Sequence, residues 1–228
     1  MSPTRKNILN LFLLTALGFF SFLMLRIIFL YIPMQTDVAF LQLKQPFIHI
    51  TAWRVAFFVH VFTSMLALLA GFTQFSKKLL RNRPKLHRAI GTIYVVNVLI
   101  VTGPAGLLMG FYANGGLYSR IAFVTLSVLW MISTALALWW AKQKNFRLHR
   151  VFMIRSYALT LSAITLRIWK VLLANFTPLP PMDRYRIIAW LGWTLNLLVA
   201  ELIIYYYIKN KRATTLRQSQ ADHSINSG

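Results

Sequence analysis

Six apolar stretches, each about as long as a bilayer core is thick, recur along the chain and restrict it to one kind of fold. They cover residues 8–32, 53–75, 89–111, 121–141, 151–173 and 187–208. About 20 apolar residues in a helix cross the hydrocarbon region. In lipid the backbone N–H and C=O groups find no water, so each crossing segment must bond internally as a helix or close into a barrel. No stretch shows the sustained period-two alternation that a barrel needs. The expected fold is therefore all-α: an integral membrane bundle of about six transmembrane helices over residues 1–212. Residues 213–228 are polar without an apolar face and are expected to form a disordered cytoplasmic tail. The first stretch follows Arg5 and Lys6 as a signal sequence would. Its apolar run is too long for a signal peptide and no small-residue cleavage site follows, so it reads as a retained helix.

Charge then orients the bundle. The chain carries a net charge of +21, which in a soluble protein would point to nucleic acid. Here Lys and Arg sit between the apolar stretches and no basic domain stands apart, so nucleic acid is not an expected partner. Lys77, Lys78, Arg81, Arg83, Lys85 and Arg88 fill one loop, Lys142, Lys144, Arg147 and Arg150 another, and Lys209, Lys211, Arg212 and Arg217 follow the last stretch. The alternate loops are poorer in basic residues. The positive-inside rule puts both termini and these loops in the cytoplasm, where anionic headgroups of membrane lipids are their expected partners. Self-association is left open. The absence of cysteine removes disulfides, thiolate metal sites, covalent c-type haem and S-palmitoylation.

One short run occurs twice, each time where a basic loop enters an apolar helix. Leu86-His87-Arg88 precedes Gly91 and Tyr94, and Leu148-His149-Arg150 precedes Met153, Arg155, Ser156 and Tyr157. His87, Gly91 and Tyr94 share one helix face, as do His149, Met153 and Ser156. If the two helices are neighbours, their imidazoles lie at equal depth. Two neutral imidazoles serve as axial ligands of a b-type haem. Gly91 would leave room for the macrocycle, and Arg88 and Arg150 could meet its propionates. The same residues also suit plain contact with lipid phosphates, with Gly91 allowing close helix packing.

Ionisable residues inside the stretches are costly, about 2.5–3.5 kcal/mol on insertion scales, and each needs a partner. Counted inward from the basic end, Arg155 and Glu201 reach similar depths at 1.5 Å per residue. Glu201 is the one acid inside any stretch, and an Arg155–Glu201 structural ion pair is expected. His60, Arg26 and Arg167 lie toward the other side, where they could form an outer polar site or simply reach the interface as long side chains do. Gly103-Pro104 interrupts the third stretch and should kink it.

No hydrolase or nucleotide-binding motif is present, so any enzymatic role would be a redox one. No metal site other than a haem iron is expected. His60, Gly71, Gln74-Phe75, Leu86-His87-Arg88, Gly91 and Tyr94 form one block of residues. His149-Arg150, the run Met153 to Leu159 and Thr165-Leu166-Arg167 form a second, and Trp193, Asn196 and Glu201 a third. On these the chain resembles the bacterial membrane proteins grouped as domain of unknown function 2306. The resemblance implies a multi-pass protein of the bacterial cytoplasmic (inner) membrane and carries no activity with it. Three functional readings follow: electron transfer through one haem b held by His87 and His149; a small transporter or a lipid- or anion-binding membrane protein; and a ligand-free membrane scaffold.

Overall fold

The computed structural model describes residues 3–226, with side chains from residue 18 to 209 and a few nearer the start. Every regular element among them is helical. In chain order these are α1 (Pro3–Phe29), a 3-10 helix (Ala39–Phe47), α2 (Thr51–Thr73), a short α3 (Lys77–Asn82), α4 (Pro84–Val96), a π-helical turn (Asn97–Thr102), α5 (Gly103–Phe111), α6 (Leu117–Lys142), α7 (Phe146–Thr160), α8 (Ser162–Phe176) and α9 (Pro181–Asn226). Among the described residues, five helical spans are long and apolar enough to cross a bilayer: Thr51–Thr73, Pro84–Phe111, Leu117–Lys142, Phe146–Phe176 and Pro181–Lys209. Gly18–Phe29, within α1, is a shorter apolar stretch. The all-α membrane bundle is thus the observed architecture. The backbone of α9 continues helically to Asn226, into the polar segment for which no order was expected. That segment holds Ala, Leu, Arg and Gln, all good helix formers, and no proline.

The ends of the spans follow local chemistry. Ser76 caps α3 by accepting a hydrogen bond from the Leu79 N–H, and Asn145 caps α7 by accepting one from Leu148. Each satisfies an amide that the first helical turn leaves without a partner. Pro84 opens α4, where its missing N–H costs nothing. The turn from α5 to α6 runs through Gly115 and Gly116, both at positive φ (83° and 75°), a region where a side chain would clash.

Two spans are broken, and the breaks set which faces meet. Gly103 N–H bonds to the Val98 carbonyl, five residues back, which makes the Asn97–Thr102 turn π-helical. A Cβ on Gly103 would collide with that same carbonyl. The expected interruption at Gly103-Pro104 is therefore a π turn just ahead of the proline. The fifth span breaks at Leu161, between α7 and α8. Thr160 donates to the Ser156 carbonyl and Thr165 to that of Leu161, and such hydroxyl back-bonding bends helices. As a result α7 packs on α6, α2 and α9, whereas α8 packs on α9 and touches α1.

Chain direction gives the bundle a basic end, where α4 and α7 begin, and a far end. A hydrophobic cluster of the aromatic residues Tyr31, Trp53, Phe57 and Phe58 with Leu41 closes the far end. Lys44, only 2% exposed, projects from the 3-10 helix into it. Its ammonium donates to the Tyr112 carbonyl and to Asn114 Oδ1 (2.7 Å). It lies 5.3–6.0 Å from the ring centres of Phe40, Phe47 and Trp53. Burial, helped by the charge of Arg120, pulls the Lys44 pKa down to about 8.

Candidate functional site

The two helices that carry the repeated corner start from the same end and meet through one tyrosine. Tyr94 on α4 is fully buried. Its hydroxyl shares hydrogen bonds with Ser156 Oγ (2.6 Å) and Thr160 Oγ1 (2.9 Å) on α7. Trp130 Nε1 on α6 donates to Thr160 Oγ1 (3.0 Å), and Thr134 Oγ1 shares a bond with Ser156 Oγ (2.7 Å). Four hydroxyls and an indole thus satisfy one another where water is excluded, which is what buried polar groups require. Gly71 on α2 lets this knot close. A Cβ there would lie 2.5 Å from the ring of Tyr157 and 2.9 Å from that of Tyr94. Tyr157 in turn donates to the Leu68 carbonyl (3.1 Å).

His87 and His149 precede Tyr94 and Ser156 by the same interval on parallel helices, so the two imidazoles sit level, two turns nearer the basic end. They lie within electrostatic reach of each other. His149 Nδ1 is 2.8 Å from the Ala137 carbonyl on α6. A carbonyl only accepts, so Nδ1 carries a proton, and Nε2 is the nitrogen that holds the lone pair in the neutral ring. His87 Nδ1 is buried without a hydrogen-bond partner among the described residues. No group of three or more His, Asp or Glu that could hold a metal ion comes together among the described residues.

The flanking residues fall differently from expectation. Gly91 does not face an open space: a Cβ there would lie 2.9 Å from Gln74 Oε1, so the Gln74 amide occupies that niche. Arg88 bonds back to the Pro84 carbonyl of its own helix (3.4 Å). Arg150 stacks 4.5 Å over the ring of Tyr207 on α9, directed away from α4. Sequence alone does not reveal that Gln74 and Gly91, on different helices, occupy one place.

Arg155 and Glu201 are brought together. Arg155 Nε and Nη2 meet the two carboxylate oxygens at 2.6 and 3.0 Å, a fork-on-fork pairing that ties α7 to α9. Toward the far end, His60 Nδ1 donates to the Thr102 carbonyl (3.0 Å), and its ring packs where Gly106 leaves room. Thr63 shares a 2.5 Å bond with Thr102, and Asn97 donates to the Thr63 carbonyl (2.8 Å). The polar residues beside His60 therefore clamp the π turn. Arg167 lies within electrostatic reach of His60 and of Tyr31. Arg26 is exposed in the last turn of α1, with no hydrogen bond or ion pair among the described residues. The hydroxyl knot around Tyr94 was not anticipated. Its signal was the recurrence of small hydroxyl residues at helical spacing, Thr134 on α6 with Ser156 and Thr160 on α7.

Apolar spans held together by buried polar knots, with basic residues gathered at one end, define a multi-pass helical membrane protein. No curated protein and no solved structure matches the chain. The model of a family described as "Predicted membrane protein (DUF2306)" matches residues 57–204, more than half the chain, and the protein belongs to that family. The matched region holds His60, Gly71, Tyr94, both corner histidines, Arg155 and Glu201.

Proposed function

We propose that this is an electron-transfer protein of the bacterial cytoplasmic membrane that carries one b-type haem between His87 and His149, with both termini in the cytoplasm. One observation carries the reading: two level imidazoles on parallel helices, one of them held in a fixed tautomer by the Ala137 carbonyl. Histidines that ligate metals characteristically donate their other ring N–H to a carbonyl or carboxylate, which fixes the ring and raises the basicity of the ligating nitrogen. His87, whose buried Nδ1 lacks a partner among the described residues, would be the second residue to hold the group. Two imidazoles would suffice to hold a metal that arrives already bound in a macrocycle. Haem b supplies one-electron redox chemistry when bound. Access for the macrocycle requires the Gln74 amide to leave Gly91. Among the described residues the Gln74 side-chain amide bonds only to its neighbour Thr73, by a 3.4 Å contact, so moving that side chain breaks little. The orientation rests on the Lys- and Arg-rich loops at the corner end.

The test is an oxidised-minus-reduced visible spectrum of full-length protein purified in mild detergent from haem-replete cells. A sharp Soret band and a reduced α-band, both lost in His87→Ala and in His149→Ala, are expected. A featureless spectrum from protein that is fully helical by circular dichroism overturns the reading.

A further inference from the structure

On the flank of α7 that faces α9, Arg147, Leu148, Val151, Phe152 and Arg155 form one stripe, following the cap residue Asn145. Ile204 and Ile208 of α9 face it across a cleft of about 400 Å³. The cleft is cationic at its mouth, where Arg147 lies beside Asn145, and apolar along Val151, Phe152, Ile204 and Ile208. Arg155 stands at its deep end, about 12 Å further in than Arg147 by helical rise. Glu201 takes two of the five N–H donors of the Arg155 guanidinium, so donors remain. No acidic side chain is among the described lining residues.

The shape and polarity of the cleft select its occupant. It is far larger than a free phosphate and falls in the range of sites that hold a whole small molecule. Its deep end is open: the Arg155 and Glu201 side chains are 30% and 49% exposed, at a depth where the surroundings are lipid. A ligand entering there comes from the bilayer. We infer that the α7–α9 cleft binds one anionic glycerophospholipid, its phosphate held at Arg147 and Asn145 and one acyl chain lying along Phe152 and Ile204. Basic pockets between membrane helices recognise headgroups of this kind. The Arg155 donors left over from Glu201 suit the ester carbonyls where the acyl chains begin. The inference uses the flank of α7 that faces α9 and does not depend on haem.

The test is native mass spectrometry of the full chain in mild detergent, titrated with phosphatidylglycerol, phosphatidylcholine and inorganic phosphate. Arg147→Gln removes the headgroup contact. Arg81→Gln removes the same charge from exposed α3, outside the cleft. Phosphatidylglycerol should be retained about fivefold or more over phosphatidylcholine, and Arg147→Gln should cancel that preference while Arg81→Gln leaves it. Equal retention of the two lipids, or an equal loss in both variants, overturns the inference. Displacement of bound phosphatidylglycerol by an equal concentration of inorganic phosphate also overturns it, by making the cleft a free-anion site.

Discussion

Tyr94 and Ser156, 62 positions apart in the chain, share a 2.6 Å hydrogen bond between their hydroxyls. His87 and His149 have the same separation. The repeated corner is thus also a spatial register: α4 and α7 start from the same end of the bundle, and the long Tyr94 side chain reaches across to its counterpart Ser156. The Tyr94 hydroxyl is the fastening. Tyr94→Phe should destabilise the protein by about 1–2 kcal/mol, measured by reversible unfolding in mixed micelles. A double-mutant cycle with Ser156→Ala should give a coupling of about 0.6–1.7 kcal/mol. A coupling near zero would mean that packing alone sets the register.

Gly71 is the second fastening, through the absence of a side chain. Gly71→Ala puts a methyl group 2.5 Å from the Tyr157 ring, and that ring is anchored through its hydroxyl to Leu68. The expected cost is about 1–3 kcal/mol, typical of overpacking. Adding Tyr157→Ala should make the pair less destabilised than the sum of the two single changes. Additive losses in thermal stability would show that the clash is relieved elsewhere.

The Arg155–Glu201 pair should behave asymmetrically. Glu201→Leu leaves a lone guanidinium within a membrane span, at a cost of up to about 3 kcal/mol. Arg155→Leu combined with Glu201→Leu removes both charges and should recover much of that loss, as replacing whole ion pairs by apolar groups often does. If the double variant is no better than the single one in a detergent melting assay, the pair contributes more than mutual neutralisation.

Lys44 gives a pH dependence with a definite sign. Its pKa is drawn from an ordinary 10.5 down to about 8 in the folded protein. Below pH 8 it is charged whether folded or not, and the cost of burying the ammonium is fully expressed. Between pH 8 and 10.5 the unfolded chain holds a proton that the folded one has released, so folding becomes more favourable as pH rises. The melting temperature relative to Lys44→Met should therefore climb from pH 8 to 10. A flat difference would place the ammonium in contact with water.

Some of this was legible in the sequence because it depends on one-dimensional quantities. Span lengths follow from hydropathy, and relative depth follows from rise per residue, which sets Arg155 level with Glu201 and His87 level with His149. What depends on rotation or on a third helix was not legible. Gln74 fills the space beside Gly91 because α2 and α4 happen to converge there, and no spacing within either helix encodes that. Lys44 reads as an ordinary loop charge until the aromatic residues of separate segments gather round it. The break at Leu161 has no proline or glycine to announce it, only hydroxyls that also suit an unbroken helix.

The π turn at Asn97–Thr102 changes how the third span should respond to mutation. An α-helix advances about 100° per residue, and a π turn inserts one residue beyond the α-helical count. No single stripe can therefore mark the lining face from Pro84 to Phe111. In a substitution scan, the sensitive positions should recur with one phase up to Val96 and with another, offset by about 100°, from Gly103 onward. A deletion within the turn would bring the two phases together, turning the Gly106 notch away from His60 and the Gly110 surface away from α6.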